Sequence, residues 1–169
     1  RNSWGVNWGQ DGYFWLSYED QTLDFGCFYQ LEAADNYQKN YQYDTLGWCY
    51  SVSPGEKTDS SAYMANVFTA EKTEALEAVS FYTTDAGTQY EISVYTNLKD
   101  KTDPVSGTQS TAAQWGEEEY AGYHTVRLEE PVLLTAGQTF SVVVKLTNPA
   151  FSYPIPVEFC PIPEEDTVP

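Results

Sequence analysis

Apolar and polar residues alternate along most of this chain, and a period of two is typical of half-buried β-strands. The alternating runs cover residues 23–31, 46–52, 63–68, 78–82, 90–96, 124–128 and 140–146. Turn sequences separate them, among them Ser53-Pro54-Gly55, Asp85-Ala86-Gly87 and Ala136-Gly137-Gln138. Eight or so strands without intervening helices predict an all-β chain that forms an antiparallel β-sandwich of jelly-roll type.

Three segments interrupt or modify this pattern. Residues 99–119 are predominantly polar and predict a long loop. Pro131 is expected to begin a short strand of its own. Residues 147–163 contain five prolines around Ile155, Val157 and Phe159, which is typical of an edge strand.

The composition limits the possible partners. The 169 residues include 25 acidic and 8 basic side chains, for a formal charge of −17. Such a charge repels phosphate backbones and anionic lipids, so we expect neither nucleic acid nor a membrane as partner. No Asp-rich calcium loop is present, and Glu117 to Glu119 are interpreted as a solvated loop. We predict no metal and no cofactor.

The sequence contains only three cysteines and one histidine. The cysteines are Cys27, Cys49 and Cys160, so one internal disulfide at most can form, with Cys27 and Cys49 the more plausible pair. We expect buried free thiols, and this disulfide is the alternative. The only histidine, His124, shares a strand face with Val126 and Leu128, which predicts a hydrogen-bonded core or rim histidine rather than a ligand.

The polar segment at residues 35–44 is rich in tyrosine and in amide and carboxylate side chains. Planar amides and carboxylates suit sugar hydroxyls, and aromatic rings suit the apolar faces of sugars. We therefore predict ligand-binding roles for Asn36, Tyr37, Tyr41, Tyr43 and Asp44. The alternative is that these tyrosines pack flat against the fold.

Trp115 lies in the predicted loop 99–119 and is a second candidate sugar platform. A single tryptophan in a loop is more often an anchor that holds the loop down. An exposed Trp115 side chain would favour the sugar platform, and a buried one would favour the anchor.

The first twenty residues carry a family motif. Asn2-Ser3-Trp4-Gly5, Trp8-Gly9 and Asp11-Gly12-Tyr13-Phe14 resemble the closing segment of papain-like cysteine peptidases. The resemblance implies that Asn2 inherits the role of orienting the catalytic imidazole and that Trp4 shields that hydrogen bond. No cysteine or histidine precedes Asn2 in this sequence, whereas catalysis needs both. We therefore expect no peptidase activity from this chain alone.

Residues 66–96, 122–128 and 131–144 carry a second resemblance, which spans most of residues 22–158. These strands and turns are similar to the lectin-like domain that follows the catalytic domain in some bacterial papain-like peptidases. The resemblance implies a β-sandwich, export to the cell surface or medium of a bacterium, and carbohydrate recognition.

Together these observations predict three parts: a short remnant of the papain-like catalytic domain at residues 1–21, a lectin-like sandwich at 22–160, and an acidic, proline-rich tail at 161–169. The expected partners are the upstream catalytic domain of the parent protein and a glycan or glycoprotein. The alternative is a purely structural domain that packs on the catalytic domain and binds no ligand.

Overall fold

The computed structural model describes residues 33, 36–43, 46–55 and 60–158. The predicted peptidase remnant, with Asn2 and Trp4, lies outside these residues, as do Asp44, Cys27 and Cys160. The chain divides into two compact units, residues 1–40 and 41–169. In the first unit, the backbone N–H of Asn36 donates to the carbonyl of Ala33 at 3.2 Å.

The described part of the second unit is all-β. Its nine strands are β1 (Tyr50–Val52), β2 (Ser61–Thr69), β3 (Glu74–Thr83), β4 (Thr88–Thr96), β5 (Thr108–Gln109), β6 (Gln114–Glu118), β7 (Gly122–Leu134), β8 (Thr139–Thr147) and β9 (Ile155–Val157). Among the described residues, no helix is long and apolar enough to cross a membrane.

These strands form three antiparallel sheets. In the largest, β2 pairs with β8, β8 pairs with β4, and both β5 and β6 pair with β4. The second sheet pairs β3 with β7, and the third pairs β1 with β9. The predicted antiparallel all-β fold is thereby confirmed for the described residues, and residues 155–157 form a strand, as their sequence indicated.

The hydrophobic core lies between the five-stranded sheet and the β3–β7 sheet. The strictly alternating residues of β4 and β8 face it, including Ile92, Val94, Phe140 and Leu146. Val79, Phe81 and Val126 contribute from the opposite sheet. Because both sheets bury one face against the same cluster, they pack face to face as in a β-sandwich.

The predicted loop 99–119 is wrong in part. Its second half contains β5 and β6, and Trp115 lies on β6 opposite Glu91 of β4. The sequence of β6, Gln-Trp-Gly-Glu-Glu, shows no apolar alternation. It forms a strand because it pairs with β4, which no local pattern indicates. Gly116 lies directly opposite Tyr90. A Cβ atom on residue 116 would lie 2.3 Å from the Tyr90 ring, so no larger residue fits there without a shift of that ring.

Pro131 does not begin a separate strand. It lies within the 13-residue β7, which is irregular between its pairing of Arg127 with Ala78 and of Val132 with Leu76. The side chain of Gln114 binds the backbone there, since its amide donates to the Arg127 carbonyl at 3.0 Å and its oxygen accepts from the Glu129 N–H at 2.9 Å. A proline is tolerated at such an irregularity because its missing N–H breaks no ladder bond.

Candidate functional site

Tyr41, one of the predicted sugar-binding residues, packs into the core. Its ring lies edge-on to Phe140 at 5.4 Å between centroids and tilted against Phe68 at 5.8 Å. Its hydroxyl donates to the Glu74 carboxylate and accepts from the backbone N–H of Glu71 at 2.8 Å. Burial, together with the bond to Glu74, raises the pKa of the Tyr41 phenol. These contacts match the alternative that the loop tyrosines pack against the fold.

Tyr43 is held differently. One face of its ring stacks on Phe68, with centroids 5.0 Å apart and planes 11° from parallel, and its hydroxyl donates to the Val67 carbonyl at 2.6 Å. The side chain is nevertheless largely exposed. Asn36 is exposed and Tyr37 half-buried in the first unit, so their ligand-binding roles remain predictions, as does that of Tyr43.

Trp115 is 66% exposed, so it does not anchor a loop. Tyr43 lies beside β2 and Trp115 lies on β6, with β8 and β4 between those strands. The structure therefore does not bring these two predicted residues together.

Instead, the structure forms an aromatic cleft that the sequence did not indicate. It is a shallow, open groove of about 420 Å³ and is lined by Trp48, Cys49, Tyr50, Ser51, Phe151 and Tyr153. Trp48, Tyr50 and Phe151 are all partly exposed, although large aromatic side chains gain most by burial. Exposed aromatic rings that line a concave surface are typical of a ligand site.

The Trp48 side of the cleft is fixed by local contacts. The Trp48 indole N–H donates to the Ser51 hydroxyl at 3.0 Å, and the Cys49 N–H donates to the Val157 carbonyl at 3.0 Å. Gly47 has a φ of +78°, which favours glycine, and a Cβ there would meet the Tyr82 hydroxyl at 2.6 Å. This close approach places Trp48 beside Tyr82, with ring centroids 6.5 Å apart.

The Phe151 side is held by a buried polar network. Asn148 donates its amide to the Thr84 hydroxyl at 2.9 Å and to the Phe151 carbonyl at 3.0 Å, and accepts from the Thr88 hydroxyl at 2.9 Å. The Asp85 carboxylate accepts from the N–H of Phe151 at 2.8 Å. The Thr84 hydroxyl donates to the Tyr153 carbonyl at 2.9 Å.

This network therefore fixes the backbone around Phe151 and Tyr153, whose rings are tilted by 55° to each other with centroids 5.3 Å apart. Rigid rings lose little conformational entropy when a ligand binds. The cleft is thus preorganised for stacking.

The chemistry of the cleft is that of uncharged groups. None of its six lining residues carries a formal charge, and Ser51 and the two tyrosines supply hydroxyls. Cys49 is a free, exposed thiol. It therefore forms no disulfide with Cys27, the pairing that the sequence left open, and the expectation that this free thiol is buried is wrong. Among the described residues, no group of three or more His, Cys, Asp or Glu side chains could hold a metal ion.

His124 is hydrogen-bonded, as predicted. Its Nδ1 lies 3.1 Å from the Glu118 carboxylate and its Nε2 lies 3.1 Å from the Thr83 hydroxyl. The order hydroxyl, imidazole, carboxylate resembles a catalytic triad in its connections. However, Thr83 is 0% exposed, so its oxygen is not accessible to a substrate, and the three groups are a structural network between β3, β6 and β7.

Comparison with known proteins agrees with this architecture. A family model described as "Lectin like domain" matches residues 40–164, more than half of the chain. The chain belongs to the lectin-like domain family. No curated protein and no solved structure matches it. The lectin-like domain spans both sandwich sheets, the aromatic cleft and Trp115.

Sequence reasoning missed the cleft because its halves lie a hundred residues apart. The alternation over residues 46–52 predicts a half-buried strand that includes Trp48, but the strand begins only at Tyr50. Phe151 and Tyr153 lie between prolines in the segment assigned to an edge strand. Two aromatic residues close together in a proline-rich stretch were the available signal.

Proposed function

We propose that this lectin-like domain binds a neutral carbohydrate in the aromatic cleft. The observation that carries the proposal is the uncharged lining, in which Trp48, Tyr50 and Phe151 stay partly exposed although they are rigidly held. Sugar rings present apolar C–H faces to aromatic rings and hydroxyls to polar groups, and the cleft supplies both. The formal charge of −17 disfavours acidic glycans, since like charges repel.

Replacement of Trp48 or Phe151 by alanine is expected to weaken binding to a glycan array by about tenfold or more. The loss of one stacking ring at the centre of a small interface removes on the order of 1.5 kcal/mol or more. Leu133→Ala is the matched control, because Leu133 is 80% exposed and lies on β7, outside the cleft. Unchanged array binding by both cleft variants, at wild-type thermal stability, would contradict the proposal.

We also propose that the domain belongs to an exported bacterial papain-like cysteine peptidase and has a jelly-roll topology. The Asn2-Ser3-Trp4-Gly5 motif ahead of the lectin-like match supports the first part. Nested pairing supports the second, since β2 pairs with β8 and β3 with β7. In such a protein, the domain would hold the peptidase near glycosylated substrates or a cell surface and raise their local concentration.

On this proposal, the 169-residue chain alone is expected to leave fluorogenic peptides uncleaved in the presence of a thiol reductant. The two ring nitrogens of its one histidine lie 3.1 Å from the Glu118 carboxylate and the Thr83 hydroxyl. The control is the same chain assayed beside an active papain-like peptidase. Thiol-dependent turnover that copurifies with the chain would refute this expectation.

A structural domain without a ligand remains the rival proposal, supported by the buried contacts of Tyr41. An empty glycan array, together with tight binding to a separately produced catalytic domain, would favour this rival.

A further inference from the structure

A second exposed aromatic surface lies on the outer face of the five-stranded sheet. The strand register places Tyr63 opposite Lys145, Lys145 opposite Glu91, and Glu91 opposite Trp115. These four residues, here called the outer-face row, cross β2, β8, β4 and β6. Three strand spacings separate its ends, a distance of about 14 Å. Both end residues are exposed, Tyr63 at 62% and Trp115 at 66%.

The two middle residues of the outer-face row carry opposite charges. Lys145 lies over the Tyr63 ring, with its Nζ 5.5 Å from the ring centroid. Glu91 is its direct cross-strand neighbour, so one positive and one negative charge stand between the two aromatic rings. An ammonium donates hydrogen bonds and a carboxylate accepts them. The row therefore offers both kinds of partner to hydroxyl groups.

A polar row runs alongside, two residues further along each strand. Thr147 pairs with both Ser61 and Gln89, and Gln89 pairs with Glu117. The Ser61 and Thr147 hydroxyls bond each other at 2.7 Å. These hydroxyl, amide and carboxylate groups widen the polar strip beside the two aromatic rings.

The rest of the outer face limits where a ligand could lie. On the side away from the polar row, Val143 and Ser93 are buried, and the Ser141 hydroxyl, fully buried, donates to the Pro104 carbonyl of the loop between β4 and β5. That loop covers the sheet there. The open strip is thus the outer-face row and the polar row.

We propose that the outer-face row binds an extended, neutral polysaccharide that lies across the strands, with sugar rings stacked on Trp115 and Tyr63 and hydroxyls bonded to Lys145 and Glu91. The span of about 14 Å is far wider than a single sugar ring, so only a chain of several sugars contacts both aromatic residues. The row has no net charge and the protein is strongly acidic, so an anionic polysaccharide is disfavoured.

This inference rests on the proposed carbohydrate-binding function and adds a second surface to it. The cleft suits a short stretch of sugars, whereas the outer-face row requires length. Binding at both surfaces by one chain would raise its apparent affinity through effective concentration.

The test is affinity electrophoresis of the full 169-residue chain in gels that contain cellulose derivatives, xylan, mannan, galactan, soluble chitin or starch, with heparin and polygalacturonate as acidic probes. Retardation by at least one neutral polysaccharide is expected, with none by the acidic probes at low salt. Tyr63→Ala and Trp115→Ala should each weaken the apparent affinity for that polysaccharide about tenfold. Their affinity for its disaccharide, measured by calorimetry, should match that of the parent chain. Tyr120→Ala is the matched control, because Tyr120 is an exposed aromatic residue outside both surfaces.

Each other outcome has a defined meaning. If Tyr63→Ala and Trp115→Ala retain full polysaccharide binding while Trp48→Ala loses it, the outer-face row is refuted and the proposed function stands. If the acidic probes bind as well as the neutral ones, the neutral ligand class is refuted. If no probe binds the parent chain, both the row and the proposed function are refuted.

Discussion

Replacing Asn148 by leucine is expected to lower the free energy of unfolding by about 2–4 kcal/mol and to disorder the Phe151 side of the aromatic cleft. Asn148 is 2% exposed and its side chain makes three hydrogen bonds, to Thr84, Thr88 and the Phe151 carbonyl. Leucine has a similar volume, so the change removes the bonds without a large cavity. Urea unfolding followed by tryptophan fluorescence measures the loss, and the array assay measures the effect on binding.

Asn148→Asp is the matched variant, and its destabilisation should depend on pH. The carboxyl keeps the acceptor for Thr88. The ionised form lacks both donors to Thr84 and the Phe151 carbonyl, whereas the protonated form keeps one O–H donor. Burial without a cationic partner raises the folded-state pKa of this carboxyl above its ordinary value of about 3.9. Stability is therefore retained below about pH 4 and lost as pH rises through the folded-state pKa.

The stability gap between Asn148→Asp and the parent chain should accordingly narrow as the pH is lowered from 7 towards 4. A gap that is constant over this range would show that the polar network around Asn148 is not buried as described. Comparison with the parent at each pH removes the contribution of the many native carboxyl groups.

Replacing Phe140 by alanine is expected to cost about 3–5 kcal/mol of stability, a large part of the total for a domain of this size. Phe140 is 0% exposed on β8, the strand between β2 and β4, and its ring contacts Phe68 at 5.5 Å and Tyr41 at 5.4 Å between centroids. Deletion of the ring leaves a cavity between the two main sheets. It also removes one of the two rings, Phe68 and Phe140, that pack against Tyr41.

Val142→Ala is the matched control for Phe140→Ala, because Val142 lies two residues along the same strand and is only partly buried. Its expected cost is markedly smaller, about 1–2 kcal/mol. Thermal unfolding by circular dichroism measures both. Equal, small losses in the two variants would show that the core is not centred between these sheets.

The strands that line the core could be read from the sequence because their signal is local. In β4 and β8, apolar residues occur at every second position, and each strand buries the face that carries them. The turn at Asp85-Ala86-Gly87 was also predictable, because glycine readily adopts the positive φ that such turns use. Gly87 has a φ of +69° in the structure. His124 was correctly predicted to be hydrogen-bonded, although its partners Thr83 and Glu118 were not foreseen.

The tyrosine-rich segment shows why composition did not decide the site. Tyr41 and Tyr43 have the same residue type and nearly the same sequence context, but Tyr41 contacts the core while Tyr43 stacks on its edge. The difference arises from the positions of Phe68, Phe140 and Glu74, which no local pattern specifies. For Trp115, the sequence identified a candidate platform but placed it in a loop rather than on β6.

The sequence by itself determined the all-β class, the faces that β4 and β8 bury, and the lectin-like character of the domain, which the family model matches at residues 40–164. Only the tertiary structure decided that Trp48 and Phe151 share a cleft and that Tyr63 and Trp115 lie in one row across four strands. The physical reason is that alternation reflects which face of a strand is buried, a property of neighbouring residues. Strand partners and register depend instead on contacts between distant residues, and both candidate surfaces are formed by those contacts.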